Sequence, residues 1–299
     1  MGEIAALGTA IFWAFTSVFF TSAGKQVGSV IVNRVRLVLA VAILSLTHLA
    51  LTGQLVPLGA EPYRWFWLGL SGIVGLALGD TFLFQCYVLI GNRLGTLLMA
   101  SAPVISVIGA WIFLGEMLGV YDILGISVCL FGIAMVVLEK RNGNGNHTPH
   151  TRRQYTIGIL FGFAAATCQA AGLILAKKGL DHDFPPLSAT LMRMLVALTV
   201  IWLITLGMGK AKFTIQQAIQ NPLALRAIIG GVIFGPFLGV WLSLIAVQHA
   251  PVGIASTLMA LSPVVVLPIA KWGFKEHVSA RTAIWTLVAL VGAGIIFLA

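Results

Sequence analysis

Nine residues of the chain carry a carboxylate: Glu3, Glu61, Asp80, Glu116, Asp122, Glu139, Asp181, Asp183 and Glu276. Eight of them fall at or near the ends of long apolar runs, and Asp80 does not. It sits in Gly75-Leu76-Ala77-Leu78-Gly79-Asp80-Thr81-Phe82-Leu83-Phe84-Gln85-Cys86-Tyr87, near the middle of an apolar stretch. An ionised carboxylate facing hydrocarbon costs several kcal/mol, so Asp80 must face a bundle interior or a wet cavity and find a partner there. Three roles fit it. It binds the amino group of a zwitterionic substrate, it takes up a coupling proton, or it is a structural carboxylate paired with an arginine.

Two arginines occupy matching places, Arg36 in Val35-Arg36-Leu37 and Arg193 in Met192-Arg193-Met194, each about two turns into an apolar run. A guanidinium stays charged and offers a planar fork, so each is a candidate clamp for a substrate carboxylate or phosphate. Snorkelling to the headgroups is the alternative, and it suits Arg34, which lies nearer its helix start. Helical spacing places Phe84 and Tyr87 on the side of Asp80, as an aromatic cavity wall or as packing. Trp13, with Thr16 and Ser17, and Gln169 are polar or amphipathic groups inside other apolar runs; they line a cavity or hydrogen-bond a neighbouring helix. Pro103 and Pro263 each remove a backbone donor and are expected to kink their helices, as hinges or cavity lining, with the hydroxyls of Ser101 and Ser262 beside them.

Other chemistries find no support. His147 and His150 are spaced i, i+3, but they lie in a polar stretch without other ligand types, so no metal site is expected. Cys86, Cys129 and Cys168 fall inside apolar runs with no C-x-x-C spacing. No nucleophile elbow, zinc-protease pair, P-loop or dinucleotide fingerprint occurs, so neither a catalytic residue set nor a cofactor is expected. The nearest rival class is a membrane-embedded enzyme or a non-transporting scaffold, which calls for a catalytic constellation or a recruiting domain. The formal charge of +9 sits between apolar runs rather than in a stripe with aromatics, which points to lipid-facing loops and not to nucleic acid.

The elements that must position these residues are membrane spans. With 59% hydrophobic and 9% charged residues, and a mean hydropathy of +1.00, the chain lacks the polar surface of a soluble globule. Runs long enough to cross about 30 Å of hydrocarbon lie near 3–22, 30–52, 65–89, 94–114, 120–138, 156–177, 187–208, 226–248, 252–272 and 280–298. The first of them is long for a signal-peptide core and follows no basic segment, so it reads as a span.

The chain is also duplicated. Leu98-Met99-Ala100-Ser101-Ala102-Pro103-Val104 and Leu114-Gly115-Glu116 recur, without a gap, as Leu258-Met259-Ala260-Leu261-Ser262-Pro263-Val264 and Phe274-Lys275-Glu276. The same register pairs Gly75 with Gly235 and Gly79 with Gly239, as parts of small-residue ridges for close helix packing. Asp80 has Val240 as its counterpart, so duplication does not account for it. The expected organisation is a five-helix repeat at 1–139, a polar flexible linker at 140–155 and a second five-helix repeat at 156–299. Five spans per copy, an odd number, make the repeats inverted, an arrangement typical of secondary transporters with a midplane site where the halves meet. Inversion is expected to put Arg36 and Arg193 on opposite membrane faces. Glu116 and Glu276 read as capping or solvated residues at helix ends.

Phe12-Trp13-Ala14, Arg36, the Gly75 to Tyr87 segment, and the Ala102-Pro103-Val104 to Leu114-Gly115-Glu116 helix with its second copy resemble the EamA branch of the drug/metabolite transporter superfamily. The resemblance covers nearly the whole chain. It implies a ten-helix inverted-repeat carrier, often an exporter of amino acids or other small metabolites, usually with both termini cytoplasmic. The distribution of Lys and Arg points instead to external termini. The second half departs from the pattern where tryptophan is expected, with Ala166 opposite Trp13.

The sequence therefore predicts an all-α integral membrane protein of ten transmembrane helices in two inverted repeats, multi-pass in a cell (inner) membrane. Its expected activity is alternating-access export of amino acids or related small metabolites, with a possible coupling proton. The runner-up is a carrier for phosphorylated sugars or nucleotide sugars, which needs more cationic groups in its cavity.

Overall fold

In a bilayer every backbone polar group must be satisfied within the protein, and helices do this residue by residue. The computed structural model describes residues 1–139, 152–265 and 279–299, and no strand occurs among them. The helices of the first half are α1 (Gly2–Val27), α2 (Ser29–Thr52), α3 (Pro62–Ser71), α4 (Asp80–Met99), α5 (Ala102–Leu114) and α6 (Val120–Glu139). Those of the second are α7 (Arg152–Gly179), α8 (Pro186–Gly207), α9 (Ala211–Gln220), α10 (Pro222–Val232), α11 (Val240–His249), α12 (Val252–Met259) and α13 (Ala280–Leu298). Among the described residues nine helices are long and apolar enough to cross a membrane, and Val252–Val265 is a shorter apolar one. The predicted span at 252–272 continues into residues that are not described, as do the site of Glu276 and the histidines of the expected linker. Helix α7 already begins at Arg152, inside the stretch expected as linker.

Several local features differ from the sequence expectation. The third span of each half is not a plain α-helix. Between α3 and α4 the chain forms a π-helix at Gly72–Gly79, and between α10 and α11 another at Ile233–Gly239. These widened turns occupy matching places in the two copies and end immediately before Asp80 and Val240; such segments recur at functional sites. The backbone ladder of α4 runs on to Met99, yet a Cβ on Gly95 would collide with the ring of Tyr87. Eight residues of straight helix span about 12 Å, so the chain reverses sharply between them, where the boundary of the third and fourth spans was expected. Pro103 stands in the first turn of α5 after a break at Ala100 and Ser101, so it starts a helix rather than bending a continuous one. A loop expected after residue 208 contains the short amphipathic helix α9.

The packing follows the duplication. Helix α2 packs on α8, α5 on α12, and α6 on α13, each element against its counterpart. The first helix of each half packs instead on the third of the other: α1 on α10, the second π-helix and α11, and α7 on α3, the first π-helix and α4. Like-against-like and crossed pairs are what an approximate two-fold axis between inverted halves produces. Glycine makes the closest approaches possible: the backbones of Gly75 and Gly172 meet directly, and Gly132 lies against Ala289. Large apolar residues such as Trp111, Phe113, Leu160, Leu203 and Leu290 point outward, as a lipid-facing surface requires.

Candidate functional site

Asp80 is the first residue of α4, directly after the first π-helix. It forms an ion pair with Arg36 of α2. Arg36 also donates from Nε to Asn33 Oδ1 at 2.8 Å, and its guanidinium lies between the rings of Phe20, 5.8 Å away, and Phe84, 5.9 Å away. The side chain of Asp80 is 18% exposed and that of Arg36 11%, so the pair is largely withdrawn from solvent. Of the roles open to Asp80, pairing with an arginine is the one that it occupies in this conformation.

Arg193 does not lie on the far side of the membrane from Arg36, as inversion alone suggested. Each arginine is seven residues beyond the start of its helix, a rise of about 10 Å. Two such rises from opposite surfaces of a core about 30 Å thick leave only about 10 Å between the two backbones, and two long side chains cover that. Arg193 interacts electrostatically with Asp80 without an ion-pair contact. The residue is 3% exposed, and its Nε and Nη1 meet no acceptor among the described residues. Its Nη2 lies 3.5 Å from where a Cβ of Gly75 would stand, and its backbone carbonyl packs on Gly72. The glycines of the first π-helix thus admit α8 and its guanidinium against the helix backbone.

Gln169 of α7 borders the same region: its backbone N is 3.8 Å from a Cβ placed on Gly79. The structure brings Asp80, Arg36, Phe84, Arg193 and Gln169 to one junction of α2, α4, α7 and α8. Other predicted residues lie elsewhere. The indole of Trp13 packs on Gly239 in the crossed contact of α1 with the second half, and Thr16 on Gly235. The hydroxyls of Thr16 and Ser17 are spent on the carbonyls of Phe12 and Ala14. Tyr87 turns toward Gly95, about 10 Å along its helix from Asp80. Ser101 donates to the Leu98 carbonyl at 2.6 Å, while Pro103 is buried at the start of α5. Ser262 and Pro263 are half-buried at the matching place beyond α12.

Asn33 and Phe20 belong to the junction and escaped the sequence reading. The i, i+3 spacing of Asn33 and Arg36 was the available signal for the first; nothing marked the second. Arg34 does not snorkel: it is buried and donates to Thr214 of α9 at 3.0 Å. Glu116 is more than an end cap of its own half. It pairs with Lys177 at 2.5 Å and accepts the Val252 N–H at 2.7 Å, while Lys177 donates to the Ala250 carbonyl at 2.8 Å.

The EamA-like transporter family matches residues 1–138 and 156–298. The chain belongs to the EamA-like transporter family. It is a multi-pass membrane transporter of the drug/metabolite transporter superfamily, a group whose members are generally not enzymes. No curated protein matches it. A solved structure described only as "Crystal structure of protein" is similar over 99% of this chain and 96% of its own, with a TM-score of 0.78 and 17% sequence identity. That likeness extends to the fold alone, and it agrees with the two-repeat EamA-like architecture.

Proposed function

We propose that this EamA-like protein is a secondary carrier that exports amino acids or related small metabolites across a cell (inner) membrane. Transport proceeds by alternating access, with residues 1–139 and 156–299 as the two moving halves. The observation that supports this reading is the junction of Asp80, Arg36 and Arg193: three ionisable groups close together in a bundle of otherwise apolar helices. Groups of this kind inside a membrane protein are costly and mark substrate or ion pathways. A proton or the amino group of a substrate competes with Arg36 for Asp80, and that competition links occupancy to the packing of α2 on α4. Phe20 and Phe84 shape the apolar side of the site, and Gln169 offers a hydrogen-bonding amide.

The test is counterflow of labelled amino acids into proteoliposomes preloaded with each unlabelled candidate, comparing wild type with Asp80→Asn. Saturable exchange that the substitution lowers at least tenfold is the expected result. Exchange unaffected by it removes Asp80 from the mechanism. A folded wild-type protein that exchanges no amino acid, but does exchange phosphorylated sugars, overturns the substrate assignment.

A further inference from the structure

The duplication supplies its own control for Arg193. Arg36 and Arg193 are counterparts, and α2 meets α4 as α8 meets α11. Arg36 has two partners. At i−3 stands Asn33, whose Oδ1 accepts from Nε, and across the helix interface stands Asp80. The residue at i−3 from Arg193 is Thr190, whose hydroxyl donates to the Pro186 carbonyl at 2.7 Å and accepts from neither Nε nor Nη1 of the guanidinium. The counterpart of Asp80 is Val240, which is buried and apolar. The second arginine therefore has the position of the first without either acceptor.

The large majority of buried polar side-chain atoms in native proteins have a hydrogen-bond partner, and an exception calls for an explanation. A guanidinium 3% exposed with Nε and Nη1 unmet is a site prepared for an acceptor that the described residues do not supply. Nε and Nη1 stand on different edges of the guanidinium, each edge shared with Nη2, and a planar carboxylate takes either edge by two parallel N–H donations. Gly75 and Gly72 carry no side chain, and the room this leaves is taken by Arg193 itself, whose carbonyl packs on Gly72 and whose Nη2 lies 3.5 Å from where a Cβ of Gly75 would stand. Charge sets the valence of the acceptor. Two guanidiniums and one carboxylate leave one net positive charge at the junction, which a monoanion neutralises and a phosphate dianion reverses.

We propose that Arg193 is the carboxylate-binding residue of the carrier, and that its substrates are small metabolites with one carboxylate. The substrate's carboxylate does for Arg193 what Asp80 does for Arg36. An amino group is an accessory feature, because it must displace Arg36 from Asp80, whereas a carboxylate displaces no partner from Nε and Nη1 of Arg193. This inference rests on the transport reading above and specifies what the site recognises.

The experiment uses the full chain, purified and in proteoliposomes. Exchange of a labelled amino-acid mixture is measured against three internal panels with the same side chains: amino acids, the amines left by their decarboxylation, and the corresponding 2-oxo acids. Amino acids and 2-oxo acids are expected to drive exchange, with amines at least tenfold weaker. In parallel, thermal unfolding of the detergent-solubilised protein is followed with each panel. The acids raise the melting temperature of wild type and do not raise that of Arg193→Gln, while Arg193→Lys retains part of the effect. Amines that work as well as acids overturn the inference, as does an Arg193→Gln protein that acids still stabilise, or wild type that no acid stabilises. If Arg193→Gln does not fold, the wild-type panels and Arg193→Lys decide. Absence of any exchange by a protein that acids do stabilise counts against the transport reading alone.

Discussion

The two crossed contacts of the molecule have the same backbone plan and opposite fillings. On one side α7 meets the first π-helix through bare backbone at Gly75 and Gly172, with Ser71 donating to the Gly172 carbonyl at 2.5 Å and Asp80 at the end of the segment. On the other side α1 meets the second π-helix through large side chains. Phe20, Thr16 and Trp13 fit over Gly231, Gly235 and Gly239, and Phe234 sits among Phe12, Phe15 and Phe19 at ring distances of 5.3 to 6.0 Å. Duplication has kept the widened turns and the glycines that admit a neighbour, while the carboxylate follows only the first of the two widened turns, with Val240 after the second. A two-fold frame around a one-sided site is suited to a molecule that must present one substrate to two aqueous sides.

The largest expected effect comes from removing the one-sided charge. Asp80→Asn leaves Arg36 buried without its counter-ion, a loss of about 3–5 kcal/mol, measurable as a fall in unfolding temperature in detergent. Arg36→Gln added to it restores part of the stability, and a double-mutant cycle gives the coupling. If the double variant is as unstable as the two single losses combined, the pair is not a unit.

Making the second side resemble the first is the next test. An aspartate in mid-span costs about 3 kcal/mol on its own. Val240→Asp is expected to incur this cost fully in an Arg193→Gln background and much less in wild type, where Arg193 is its counterpart of Arg36. Equal costs in both backgrounds, read by chemical denaturation, refute the equivalence of the two arginines.

The glycine contacts give a smaller contrast. A Cβ on Gly172 would stand 2.9 Å from the Gly75 backbone, whereas one on Gly235 meets first the movable side chain of Thr16. Gly172→Ala should therefore cost about 1–3 kcal/mol, and Gly235→Ala less. Thermal melts of the two variants side by side check the order.

Much of the frame was legible in the sequence. The repeat register, the span positions and the requirement that Asp80 face inward with a partner follow from hydropathy and from the cost of charge in lipid. The choice of partner was not legible. Inversion separates the starts of α2 and α8 by the membrane thickness, and only the arithmetic of rise and side-chain length brings Arg36 and Arg193 to one level. The π-helices escaped because hydropathy periodicity cannot distinguish a widened turn from an ordinary ridge of glycines. Pro103 was expected as a bend and starts a helix, since the break at Ala100 and Ser101 leaves its missing donor among the unpaired first turn.

Glu116→Gln has the smallest expected effect, about 1 kcal/mol, because the pair with Lys177 is partly exposed and the amide oxygen still accepts from Val252; a modest drop in melting temperature checks it. The arrangement nonetheless governs how that end of the molecule comes apart. One carboxylate holds the end of α7 through Lys177 and the start of α12 through a backbone N–H, and Lys177 in turn holds the end of α11. None of these elements can withdraw alone without leaving a charge or a helix end unmet. The three contacts of this fastening let go together, so the end behaves as a snap rather than a sliding joint.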